Sequence, residues 1–304
     1  MSESTPVTAS DAVPLETRLA QFPAQQAVTA QHIVSYREAG SAHVDALPLV
    51  LLHGIGSGAA SWVQQFEVLG ATRRVVAWDA PGYGASTPVE AASPVASDYS
   101  NVLQAWLDAL GIERCLLVGH SLGAIIAGAF AASHADRVAS LLLISPAGGY
   151  GAASPDVRAS KRDARLAMLA ELGPAGLAEK RSANMLSQHA DDQARSWVRW
   201  NMSRVVPHGY AQATHLLANA DLASDLAAFK GRVSVVVGSE DSITPPDACE
   251  RLAHVARAPF QIVPRAGHAG YIEAPAAYNA VLEKFCGNAA AAVAHAAQAG
   301  QRSL

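Results

Sequence analysis

The sequence predicts an α/β protein built on a doubly wound parallel sheet, and three observations predict it. Short, continuously apolar runs rich in Val and Leu recur along the 304 residues. Segments with helical spacing separate them. The alternation breaks once, between about residues 150 and 225, where charged, helix-prone segments follow one another without a strand. Strands buried on both faces of a parallel sheet read as unbroken apolar runs, and strand–helix alternation winds such a sheet.

Residues 1–30 read as a polar lead-in. HIVSYREAG, from His32, alternates like an early antiparallel strand. LPLVLLHG (47–54), RRVVAWDAPG (73–82), RCLLVG (114–119), RVASLLLIS (137–145), RVSVVVGSED (232–241) and APFQIVPRAGH (258–268) supply the buried strands. Helical spacing of Val102, Leu103, Trp106, Leu107 and Leu110 marks 96–111, ended by Gly111. Prolines in the first turn open helices in PPDACERLAHVAR (245–257) and PAAYNAVLEKF (275–285). The core therefore spans 31–149 and 226–287, with a helical insertion at 150–225 placed as a lid, and an Ala-rich tail at 288–304 that is assigned no function.

Composition narrows the function. Half of the residues are hydrophobic, 16% are charged and the net charge is −4, so a large core is expected and no basic stripe invites nucleic acid. The three cysteines, Cys115, Cys249 and Cys286, are widely spaced and form no CxxC pair. Neither a disulfide framework nor a metal site is expected, and Cys115 reads as a small core residue. The N-terminus lacks a basic start with an apolar core, and no apolar run approaches a membrane span. A cytoplasmic protein acting on a small molecule is expected, without membrane, nucleic acid or cofactor; oligomeric state, a homodimer included, is left open.

The chemistry is carried by VGHSLGA (118–124). A serine on a sharp strand-to-helix turn presents its hydroxyl beyond the sheet, and Gly119 and Gly123 remove side chains that would collide with neighbouring elements. Ser121 is the candidate nucleophile. A serine hydroxyl needs a base, and the base an orienting acid. His268, in the loop after the last apolar run, is the candidate base. Asp241, at the end of VVVGSED, is the candidate acid, with Glu240 as its competitor. The oxyanion donors expected are the N–H groups of Leu122, after the nucleophile, and of Ile55, in HGIGSGAASW (53–62). Asp79 in WDAPGYG comes too early in the chain for the triad and reads as the holder of its Gly-rich turn.

HGIG, GHSLG, GSED-x-x-TPP and AGH, together with DAPGYGAS (79–86), make residues 30 to 287 resemble the α/β-hydrolase superfamily. The resemblance implies an eight-stranded, mostly parallel sheet with a helical cap inserted after the sixth strand, a Ser121–Asp241–His268 triad, and no cofactor. Two groups within it are similar. The lactonase and carboxylesterase group, 3-oxoadipate enol-lactonases included, resembles the cap exit that leads into VVVGSEDSITPP. The meta-cleavage-product hydrolases, which break a carbon–carbon bond in ring-opened aromatics, are similar in DAPGYG and in a cap arginine, for which Arg199 in VRWNM is the candidate. The sequence departs from them at Ala269, where they typically carry Trp, and at His120, where they often carry Asn. Haloalkane dehalogenases use an Asp nucleophile where this chain has Ser121.

Three functions follow. The first is an ester or lactone hydrolase working through an acyl-enzyme. The second is a carbon–carbon hydrolase on a 1,5-diketo acid, with Arg195, Arg199 or Arg204 against the substrate carboxylate. The third is a ligand-binding protein on a hydrolase fold. His120, Gly54, Arg199 and Trp200 are the candidate substrate contacts. Trp197, Met202 and Leu216 either line the pocket or pack the cap on the sheet.

Overall fold

The computed structural model describes residues 13–42 and 46–301, with side chains through Ala289. Eight strands form one sheet: β1 (Gln25–Val28), β2 (Ile33–Ala39), β3 (Leu49–Leu52), β4 (Val75–Trp78), β5 (Cys115–His120), β6 (Val138–Ile144), β7 (Val233–Gly238) and β8 (Phe260–Val263). Their order is β1-β2-β4-β3-β5-β6-β7-β8. The β1–β2 and β2–β4 pairs are antiparallel, and every pair from β4 to β8 is parallel. The order reverses direction beside β3, so the C-terminal ends of β3 and β5 bound the crevice where ligands collect in such sheets.

Alternation within a strand explains the apolar runs. Val50 and Leu52 face one buried cluster while Leu49 and Leu51 face the other. The first cluster packs α3 (Ala96–Ala109), α4 (Leu122–Ser133) and α9 (Pro246–Ala256) through Trp106, Ile125 and Leu252. The second packs α2 (Val63–Leu69) and α11 (Pro275–Gln301) through Phe66 and Leu282. Cys115 is fully buried in β5, and all three cysteines are free.

The polar lead-in is corrected by the structure. Residues 15–19 form a short helix, α1 (Leu15–Leu19), whose two leucines are buried, and Gln25–Val28 form edge strand β1. Only Ala27 of that strand is buried, so no apolar alternation announces it. Residues 1–12, 43–45 and 302–304 lie outside the described residues. The Ala-rich tail continues α11 as one helix to Gln301.

Between β6 and β7 lie α5 (Pro155–Arg181), α6 (Asp192–Ser203), α7 (Pro207–Asn219) and α8 (Leu222–Ala228). Within α5, Gly173 takes φ +61° and Pro174 follows it, which bends the helix into two arms. Asp191 starts α6 by accepting the Ala194 N–H at 2.7 Å. The last of the four, α8, packs on α4: Leu222 is fully buried against Gly128, where a β-carbon would sit 2.3 Å from its Cδ1. Among the described residues no helix is long and apolar enough to cross a membrane.

Candidate active site

Ser121 joins β5 to α4 with φ 53° and ψ −113°. Few non-glycine residues hold positive φ, and such strain persists only where the surroundings impose it. Here the surroundings are backbone. A β-carbon on Gly119 would lie 2.5 Å from the Gly123 carbonyl oxygen, and one on Gly123 would lie 2.4 Å from that of Leu52. The two glycines let β5, α4 and β3 close on the turn. Ser121 N–H donates to Ile144 O (3.0 Å) and Ala147 N–H donates to Ser121 O (3.2 Å), tying the turn to the end of β6.

Asp241 follows β7, and His268 sits in the loop after β8. The His268 Nδ1–H donates to Asp241 Oδ2 at 2.9 Å, with both residues buried. That bond leaves Nε2 as the basic ring nitrogen. The carboxylate also accepts the N–H groups of Ile243 and Thr244 at 2.9 Å each and the Thr244 hydroxyl at 2.8 Å. Burial opposes ionisation of Asp241, but the His268 bond and these donors outweigh it and hold the carboxyl at about 2. Glu240 instead pairs with His189 Nε2 at 3.0 Å. Thr244, absent from the sequence-based candidates, was legible in SITPP as a hydroxyl three residues after the acid.

Ser121, Leu122, Ile55, Thr244 and His268 all line one cavity of about 640 Å³, within the usual range for small-molecule sites. Leu122 is the first residue of α4, where an N–H has no partner within the helix. The Ile55 amide is turned by His53, a second residue that sequence reasoning missed. Ala80 N–H donates to His53 Nε2 (2.9 Å), so the proton is on Nδ1, which donates to Gly54 O (2.8 Å). A trans peptide points its carbonyl and the next N–H in opposite directions, so the Ile55 N–H faces away from His53. Burial keeps His53 below its ordinary value and so neutral.

A family model described as the alpha/beta hydrolase fold matches residues 48–275. The chain belongs to that family. A 2-hydroxy-6-oxononadienedioate/2-hydroxy-6-oxononatrienedioate hydrolase of Paraburkholderia phymatum is 30% identical over 79% of this chain and 86% of its own length. A thermophilic esterase from Thermogutta terrifontis superposes with TM-score 0.78 at 23% identity, covering 88% of this chain and 99% of that one. An enol-lactonase from Burkholderia xenovorans does so with TM-score 0.76 at 24% identity, covering 86% and 99%. These two likenesses establish the fold.

The four expected substrate contacts of this α/β hydrolase lie elsewhere. His120 is buried behind the serine; its Nε2–H donates to the His268 carbonyl at 2.9 Å, and its Nδ1 has no partner among the described residues. Burial pushes its imidazole down to about 3, and the neighbouring His268 ring adds to the effect. Gly54 packs against the same pair: a β-carbon there would lie 3.0 Å from His120 Nδ1 and 3.1 Å from Ser121 Cβ. Neither lines the cavity. Arg199 is exposed and paired with Glu179 on the cap's outer face. Trp200 stacks on Trp197 (4.5 Å, 15°) and carries Arg204 over its ring at 4.0 Å. Arg195 is likewise exposed, and Trp197 and Leu216 are core. Met202 alone of the expected cap residues reaches the cavity, whose cationic lining is instead Lys161, Arg165, Arg181 and Arg251. The Asp79 carboxylate reaches outside its turn, accepting the Ala59 N–H and the Ser35 hydroxyl, each at 2.8 Å, and the turn itself is closed by the Ser86 hydroxyl, which donates to the Asp79 carbonyl at 2.7 Å.

Proposed function

We propose that the protein is a serine hydrolase that cleaves a carboxylic ester or lactone through an acyl-enzyme on Ser121. The observation that carries this reading is the strained Ser121, opening onto the cavity that His268 also lines while His268 is bonded to Asp241. His268 Nε2 takes the hydroxyl proton as Ser121 Oγ bonds to the carbonyl carbon. The N–H groups of Leu122 and Ile55 receive the developing oxyanion; removing one such donor typically costs about 3 kcal/mol of barrier. His268 returns the proton to the leaving oxygen, and the C–O bond breaks. A water then gives its proton to His268 and attacks the acyl carbon, and His268 passes that proton to Ser121 Oγ as the acyl–oxygen bond breaks, which releases the acid and the free serine. Asp241 stays ionised throughout and stabilises the imidazolium.

The test is Ser121→Ala. The variant is expected to lose turnover of short 4-nitrophenyl esters and labelling by a fluorophosphonate, with an unchanged thermal melt. Undiminished turnover refutes the assignment, and a wild-type protein that neither hydrolyses esters nor labels points to a binding protein on this fold. Carbon–carbon cleavage of a ring-opened diketo acid is the second reading, favoured by the activity for which the Paraburkholderia phymatum relative is named. Turnover of a 1,5-diketo acid without ester turnover would select it.

A further inference from the structure

The cavity-facing side of α5 carries cations and no acid. Lys161, Ala164, Arg165 and Met168 follow the i, i+3, i+4, i+7 spacing of one helix face, and all four line the cavity. On the second arm, beyond the Gly173–Pro174 bend, Leu177 and Arg181 line it too. The acids of the helix, Asp156, Asp163, Glu171 and Glu179, all lie off the cavity wall, and Asp163 and Glu179 are paired with Arg162 and Arg199. Among the described residues, Lys161, Arg165 and Arg181 have neither an ion-pair partner nor an acceptor for their side-chain donors. The fourth cation, Arg251, is bonded to Asp247 at 2.7 Å. Asp221, the one acid on the wall among the described residues, caps α8 by accepting the Ser224 N–H at 3.3 Å.

The rest of the wall is largely apolar, with Met168, Leu177, Met202 and Leu217 prominent. Arg165 and Arg181 are half-buried there, while Lys161 is exposed at the outer turn. Cations in an apolar concavity concentrate the field and attract anions more strongly than cations in water. A guanidinium matches a carboxylate with two parallel N–H donors. We propose that Arg165 and Arg181, one on each arm of the bent cap helix, form an anion subsite that holds a free carboxylate of the substrate while its ester carbonyl lies at Ser121. The substrate class is then a dicarboxylic acid half-ester or a lactone bearing a carboxylate, with Lys161 steering it inward. This rests on the ester and lactone reading above.

The experiment compares the 4-nitrophenyl half-ester of glutaric acid with neutral 4-nitrophenyl butyrate. The ratio of kcat/KM on the half-ester to that on the butyrate is expected to fall by about 10- to 100-fold in Arg165→Gln and in Arg181→Gln, the span of a hydrogen bond to a charged group. Arg195→Gln, an exposed cap arginine off the wall, is expected to keep the wild-type ratio. A ratio unchanged in both variants overturns the subsite. Binding of glutarate to Ser121→Ala, read by calorimetry, needs no turnover. It is expected to weaken by the same factor when Arg165→Gln is added. Arginine-dependent glutarate binding without hydrolysis of either ester keeps the subsite and overturns the ester reading; hydrolysis of both esters without glutarate binding does the reverse.

Discussion

Replacing His120 by Gln should remove a definite part of the protein's acid sensitivity. His120 is fully enclosed by the Ser121 turn, His268, Tyr271 and Gly54, and burial holds its imidazole at about 3, against 6.5 for the ordinary group. The unfolded chain therefore binds a proton between these values that the folded chain refuses. Its contribution is fully present at neutral pH and is lost as pH falls below 6.5, down to about 3. A proton bound by the unfolded chain alone costs the fold about 1.4 kcal/mol for every pH unit below 6.5, so between pH 7 and pH 5 the residue accounts for about 2 kcal/mol of lost stability. Asp241, held at about 2, adds acid sensitivity only below its ordinary value of 3.8. His53, also depressed by burial, adds acid sensitivity below the same ordinary value but is common to both proteins. The assay is urea denaturation at pH 7 and pH 5, followed by tryptophan fluorescence. The variant should lose about 2 kcal/mol less than wild type over that interval. Equal losses would mean that His120 takes up its proton in the folded protein, and would refute the enclosed, neutral imidazole.

Gly123→Ala places a β-carbon 2.4 Å from the Leu52 carbonyl oxygen and 2.8 Å from that of His53, and neither backbone atom has room to give. The urea midpoint should drop by the equivalent of about 1–3 kcal/mol or more, and ester turnover should fall with it; a wild-type midpoint would refute the close approach. Glu273 lies in α10 (Gly270–Glu273), and its carboxylate accepts Ser187 N–H (2.9 Å), Ser187 Oγ–H (2.8 Å) and the Gly267 N–H. Glu273→Gln offers one oxygen where three donors converged. It should lose about 1–3 kcal/mol of stability and lower kcat, because Gly267 precedes His268. Unchanged stability and kcat together would show that the clamp positions nothing.

Legibility in the sequence followed how local each determinant is. Runs such as LPLVLL and RCLLV declared β3 and β5 because both faces of those strands are buried. QQAV did not declare β1, because an edge strand with one buried residue carries no pattern. The Ser121 turn was legible because its glycines are needed within two residues of it. Arg199 and Trp200 were misplaced although α6 held the signal: its buried positions, Ala194, Trp197, Val198, Asn201 and Met202, make one helical stripe, and 199 and 200 fall outside it. On α5 no such stripe exists, since its inward face itself carries Lys161 and Arg165. Which side of a helix charged all round faces inward is decided by the bend at Gly173 and by the packing of Leu169 and Leu177, not by periodicity.

The same segment connects the cation face to the base. Arg181 ends α5, and the chain runs directly into Met185, whose carbonyl accepts the N–H of Ala269 at 2.7 Å. Two residues on, Ser187 meets Glu273, which also holds Gly267. His189 then pairs with Glu240, the neighbour of Asp241. His268 is thus held from both sides along its loop by the strand of chain that leaves the second arm of the cap helix, while its carbonyl is held from behind by His120. A cap fixed this way is part of the frame that orients the imidazole. Substitutions on the second arm should therefore register in kcat as well as in KM, whereas those at Arg165, on the arm without such ties, should register mainly in KM. That asymmetry separates the binding share of Arg181 from its share in holding the base.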